Sequence, residues 1–174
     1  MQELKAGDIV LVLFSKFHRN TLLEVVPKTK IVCMDGTHGT NGYAYHLITL
    51  MVKDKSGMGC PVGHCITTRE DTASLTVFFN EIRKKCGDRI LVEYVMTDDA
   101  PAYYNAWCNA MHKSTDPPTS KPTAVKCSWH ILKNWNKNLC DIVKDENLWE
   151  DLNLSLRTLL HTKNENLVQL VIIK

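Results

Sequence analysis

Asp35, Asp98 and the pair Cys127 and His130 are the side chains whose types and spacing could do chemistry. Asp35 ends the apolar run Ile31-Val32-Cys33-Met34 and is followed by Gly36. Asp98 and Asp99 end a second run, Ile90-Leu91-Val92-Glu93-Tyr94-Val95-Met96-Thr97. A carboxylate at the end of a buried strand is costly unless it is paired or holds a cation. Two such strands side by side would set two hard oxygen donors at one sheet edge, as a divalent ion requires. The plainer alternative for Asp35 is a turn cap before Gly36, and for Asp99 the N-cap of the helix that follows. Cys127-Ser128-Trp129-His130 has the spacing of half a zinc site. Cys140 and His161 complete it at no recognised spacing, so zinc is not expected. Packing of Cys127 at a strand end, with His130 starting a helix, accounts for the pair without a metal.

The elements that must position these groups follow from periodicity. Asp8 to Phe14 is a short apolar segment open to helix or strand, and residues 1–30 read as a lead-in. The Asp35 strand runs into turn residues from Gly36 to Gly42. Strands are expected over Tyr43 to Val52 and Cys60 to Thr68, separated by the turn Asp54-Lys55-Ser56-Gly57, which makes an antiparallel meander. The period then changes. Leu75, Phe78, Phe79, Ile82 and Cys86 form the stripe of an amphipathic helix, with Asp71 or Thr72 to cap its start and Gly87 its end. A crossover helix there lets the Ile90 strand run parallel to the first, so the two aspartates would meet. Further helices are expected over Ala100 to Met111, with Pro101 in the first turn, over Trp129 to Val143, over Leu148 to Leu160 and from Glu165 onward. Ser114 to Pro122 reads as an exposed loop, and Ala124 to Cys127 as a short strand.

At 174 residues and 44% hydrophobic, the chain has length and apolar content enough for one domain with a core. A net charge of +2 points to no class of partner, so any nucleic-acid reading rests on a local patch. Such a patch exists. From Pro117 to Cys140 there is no acidic residue, while Lys121, Lys126, Lys133 and Lys137 alternate with Trp129 and Trp135. Basic side chains among aromatics suit a phosphate backbone, although a solvated helix face with Trp135 in the core fits the same pattern. Seven cysteines at irregular spacing, with no apolar leader, fit the reduced thiols of cytosol or nucleus. A membrane span is not expected, because no run of 18 apolar residues occurs. Neither Cys33 nor Cys127 sits in a setting that would clearly lower its pKa, which argues against a cysteine hydrolase. Of the scattered histidines 18, 38, 46, 64 and 112, only His38 is near Asp35. The closing run Leu167 to Lys174 is apolar without a stop signal, as in a chain cut inside an element.

Four strings in order carry a family resemblance: Val32-Cys33-Met34-Asp35-Gly36-Thr37-His38-Gly39-Thr40-Asn41, Leu47-Ile48-Thr49-Leu50, Met96-Thr97-Asp98-Asp99-Ala100, and Cys127-Ser128-Trp129-His130. Together they resemble the catalytic core of Mutator-like (MULE) transposases and of the domesticated proteins derived from them, from about residue 4 to the C-terminus. The resemblance implies an α/β, RNase H-like mixed sheet over 31–174, in which three antiparallel strands precede parallel ones, flanked by helices and ending in a helical part. It implies a DDE triad of Asp35, Asp98 and a glutamate, Glu165, with Glu146 and Glu150 as substitutes. Asn and Leu stand beside Glu165 where the family has an acid and an aromatic. The triad would hold two Mg²⁺ or Mn²⁺ ions and cut and rejoin DNA at transposon ends. His130 and Cys127 would lie near that centre, and Lys126, Lys133 and Lys137 would touch DNA. The implied partner is DNA, ends and target, in the nucleus, with a possible homo-oligomer on paired ends. The alternative is a domesticated derivative that binds DNA or protein without cutting.

Overall fold

In the computed structural model, residues 6–39, 41–98 and 100–162 are described. They divide into two units, 1–125 and 126–174. The first unit is built on a sheet. Its strands are β1 (Val10–Leu13), β2 (Ile31–Thr37), β3 (His46–Lys53), β4 (Gly59–Thr67), β5 (Tyr94–Thr97) and β6 (Thr123–Lys126), in the spatial order β1-β4-β3-β2-β5-β6. The pairs β1–β4, β4–β3 and β3–β2 are antiparallel, and β5 runs parallel to β2. This is the mixed α/β sheet expected from the sequence.

The helices α1 (Lys16–Thr29), α2 (Thr72–Cys86) and α3 (Pro101–Met111) flank it. The α2 helix begins where the Asp71 carboxylate accepts the Ser74 N–H at 2.9 Å and stops at Gly87, whose φ of 84° few other residues adopt. The stripe Leu75, Phe78, Phe79 and Ile82 is fully buried. Each of these side chains contributes about 1.5–3 kcal/mol on leaving water. They pack against α3, where Phe79 meets Trp107 edge to face at 5.3 Å. Pro101 opens α3, at the one place in a helix where its missing N–H costs nothing. The segment 1–30, read as a lead-in, supplies the edge strand β1 and the helix α1, whose Leu22 and Val26 enter the core.

Three boundaries differ from the periodic reading. Ile90 and Val92 are buried but not in a strand. The chain joins the sheet only where the Glu93 and Tyr94 N–H groups reach the Lys30 carbonyl, at 2.8 and 3.1 Å. Tyr43 to Tyr45 stay out of β3 because the Asn41 side-chain oxygen takes the N–H groups of Tyr43 and Tyr45. Gly36 and Thr37 belong to β2 rather than to the turn.

The second unit contains α4 (Ser128–Ile142) and α5 (Glu146–His161). Asp145 caps α5 by accepting the Leu148 N–H at 2.9 Å. The two helices share a polar link in which Asn153 bonds Asn136 and accepts from Arg157 Nε. The helix expected from Glu165 onward lies outside the described residues. No described helix is long and apolar enough to cross a membrane.

Candidate functional site

The register of β2 and β5 bears on where Asp35 and Asp98 stand. In the parallel β2–β5 pair Ile31 faces Tyr94, Val32 faces Val95 and Cys33 faces Met96, a constant offset of 63 residues. Asp35 and Asp98 carry the same offset; the pairing itself ends at Cys33–Met96 and Asp98 follows the last residue of β5, so a pairing continued by two residues would set the two carboxylates at one level. Alternation within β2 puts Asp35 on the face of Cys33, whose sulfur lies 4.0 Å from that of Met96 on β5. The same face carries a polar row. Thr49 lies opposite Asp35 across β3, and its hydroxyl is 3.2 Å from His64 Nδ1 on β4. Burial, and the neighbouring His18, depress the His64 pKa and favour the neutral ring. One oxygen of Asp98 accepts the Ala100 N–H at 3.1 Å, which fixes the carboxylate at the entrance to α3. Ala100, not Asp99, holds the cap position of that helix, and Asp99 itself lies outside the described residues.

A second group of donors lies on the opposite face of β2. Gly36 follows Asp35 and so turns the other way. A Cβ there would lie 2.7 Å from Glu70 Oε1 and against the Tyr103 hydroxyl. The missing side chain leaves room for the hydrogen bond that Tyr103 donates to Glu70. Glu70 Oε2 in turn lies 3.3 Å from His38 Nε2 and 3.2 Å from His46 Nδ1, and the two histidines approach at 2.8 Å through their Nδ1 atoms. Burial pushes the Tyr103 phenol pKa upward, helped by its bond to Glu70 and by the negative charge of Glu70, Asp98 and Asp35. Tyr103 is therefore a fixed donor, and its ring stands in the combined field of three carboxylates. Carboxylate oxygens such as those of Asp35 and Asp98 are the donors a hard divalent cation takes.

Sequence reasoning overlooked the His38–His46–Glu70 group. Half of the signal was present: His38 and His46 flank the turn symmetrically, and the β2–β3 register, with Thr37 opposite Leu47, makes them the next facing pair. Glu70 carries no such signal, because only the β4–α2 connection brings it there.

The remaining sequence candidates belong to the second unit. Lys126 precedes α4, and Cys127 is the cap residue of that helix, with no side-chain capping bond. Trp129, Lys133 and Lys137 follow at intervals of four along α4, all exposed. Lys133 Nζ lies 5.0 Å from the Trp129 ring centre, and the His130 ring packs edge-on against the same indole at 4.7 Å. Trp135 is half-buried. Glu146 and Glu150 are exposed on α5, and Glu165 lies outside the described residues.

Residues 5–106 match the family model described as zinc finger SWIM domain-containing protein 1/3, RNaseH-like domain. No curated protein matches the chain.

Proposed function

Because this chain belongs to the RNase H-like domain family of zinc finger SWIM domain-containing proteins 1 and 3, we propose that it is a nucleic-acid-processing domain of Mutator-like transposase type, built for metal-dependent cleavage and transfer of DNA strands. The observation that supports this reading is the constant offset of 63 residues between the parallel strands β2 and β5, the same interval that separates Asp35 from Asp98. Asp35 and Asp98 would hold Mg²⁺ or Mn²⁺, with Glu165 as the third acid. Bound there, two such ions supply an activated oxygen nucleophile and stabilise the leaving 3′ oxygen.

The chain's own groups have separable tasks. Asp98 keeps its orientation through the Ala100 N–H. Tyr103 stays protonated and engaged with Glu70, so it does not act as a base. The exposed stripe of Trp129, Lys133 and Lys137, with Lys126 before it, offers positive charge and one stacking surface to a phosphate backbone. DNA is the partner, and the chain works in the nucleus, pairing with a second copy when two ends are joined.

The test uses purified protein, Mg²⁺ or Mn²⁺ and labelled terminal-repeat DNA, with Asp35→Ala and Asp98→Ala beside the parent. Cleavage by the parent that disappears in both variants supports the reading. Binding without cleavage in the parent supports the domesticated alternative.

A further inference from the structure

We propose that His38, His46 and Glu70 form a binding site for a transition-metal ion of the zinc class, separate from the aspartate pair, tying the β2–β3 turn to the start of α2. The site goes beyond the strand-cleavage reading and does not depend on it.

The three donors come from different parts of the chain yet converge. His38 and His46 face each other across the mouth of the β2–β3 hairpin, one residue beyond the Thr37–Leu47 pair. Glu70 stands three residues past Thr67, which is the β4 partner of His46, and next to the Asp71 cap of α2. All three ligand atoms lie within 4.8 Å of one another. Zinc–ligand bonds of about 2.0–2.1 Å in a tetrahedron put neighbouring donors roughly 3.3 Å apart. The separations from Glu70 Oε2 to His38 Nε2 and His46 Nδ1, 3.3 and 3.2 Å, already match.

The carboxylate is prepared for a ligand role on its other side. Tyr103 donates to Oε1, leaving Oε2 aimed at the two imidazoles. An outer partner of this kind orients a ligand and tunes its basicity. Gly36 keeps the space that this arrangement needs. Two imidazoles with one carboxylate select zinc-like ions over magnesium, whereas the oxygen-only pair Asp35 and Asp98 selects the reverse. Three protein ligands leave one position open to water or to a substrate atom. Access is direct, because the His38 side chain is 62% exposed while His46 and Glu70 are 27% and 15% exposed.

Zn²⁺ titration of the full chain by calorimetry, in excess Mg²⁺ to occupy hard oxygen sites, is the primary test, with Co²⁺ as the spectroscopic probe. One zinc equivalent is expected, together with a cobalt spectrum of nitrogen and oxygen ligation. His38→Ala, at an exposed position where folding should not suffer, and His46→Ala should abolish it. Tyr103→Phe should weaken it about 10–100-fold, and Asp98→Asn should leave it intact. Circular dichroism confirms that each variant is folded. No zinc uptake by the parent, uptake unchanged in His38→Ala, or a thiolate charge-transfer band in the cobalt adduct would each overturn the site.

Discussion

Replacing Gly36 by alanine sets two effects of opposite sign against each other. Alanine is favoured over glycine within a regular element by about 0.5–1 kcal/mol, so backbone entropy alone makes Gly36→Ala stabilising. The added Cβ, however, would sit 2.7 Å from Glu70 Oε1, 3.1 Å from its Cδ and against the Tyr103 hydroxyl. Overpacking of a filled site costs about 1–3 kcal/mol. Displacing Glu70 would also leave the buried Tyr103 hydroxyl without its acceptor, at a further 1–3 kcal/mol or so. The steric effect wins, and a net loss of about 1–3 kcal/mol is expected. For a chain of this size that is a fall in Tm of roughly 3–10 °C.

Thermal and urea unfolding of the parent, Gly36→Ala, Tyr103→Phe and the double variant completes a cycle. The Tyr103→Phe change removes the oxygen nearest the new Cβ. The double variant should therefore lose less than the two single losses added together, by about 0.5–3 kcal/mol. A Gly36→Ala protein as stable as the parent, or losses that add within about 0.5 kcal/mol, would refute the claim that Gly36 exists to seat the Glu70–Tyr103 pair.

Other expectations follow from single contacts. Asp71→Ala should cost about 0.5–2 kcal/mol in urea unfolding, because the Ser74 N–H loses its cap. The carboxylate also shapes the acid limb of stability. Burial raises the Asp71 pKa, but the bonds from Ser74 and the Arg69 guanidinium outweigh it and leave the folded value below the usual one of 3.8. The stabilisation is then present above pH 3.8 and lost as pH falls through the lower folded value, and Asp71→Asn should flatten stability there. His112 behaves likewise at higher pH. Burial lowers its pKa below 6.5, with Arg89 and Lys121 adding to this and the Asp116 carboxylate opposing it. The unfolded chain therefore takes up the proton first, and stability should decline as pH drops below about 6.5. A slope unchanged in His112→Gln would contradict this. Lys133→Ala and Lys137→Ala should each reduce the salt dependence of DNA binding by about one unit of slope, with little change in sequence preference.

Much of the fold was legible because the local signals agreed with the tertiary structure. The α2 stripe from Leu75 to Ile82 lies between Asp71 and Gly87, and both ends hold. The α3 start at Pro101 follows from proline chemistry alone. The mixed sheet was legible for a similar reason, since a meander followed by a crossover helix leaves few ways to add the next strand. Failures occurred where burial or a side-chain bond decided without periodicity. Ile90 and Val92 enter the core from irregular chain, and Asn41 withholds the N–H groups of Tyr43 and Tyr45 from the ladder. Gly36 was read as turn material because glycine usually serves there; its task in β2 is visible only once Glu70 and Tyr103 are in place. The strand offset that relates the two aspartates was legible because a crossover helix leaves the next strand parallel to the first. Glu70 was not, because its neighbours come from the hairpin and α3, far from it in sequence.

The most direct test of the central claim is Mn²⁺ binding, followed by electron paramagnetic resonance, to the parent and to Asp35→Asn and Asp98→Asn. If Asp35 on β2 and Asp98 after β5 share the cations, bound Mn²⁺ should fall away in either variant while circular dichroism stays unchanged. Equal Mn²⁺ occupancy in the parent and in both variants would contradict the account.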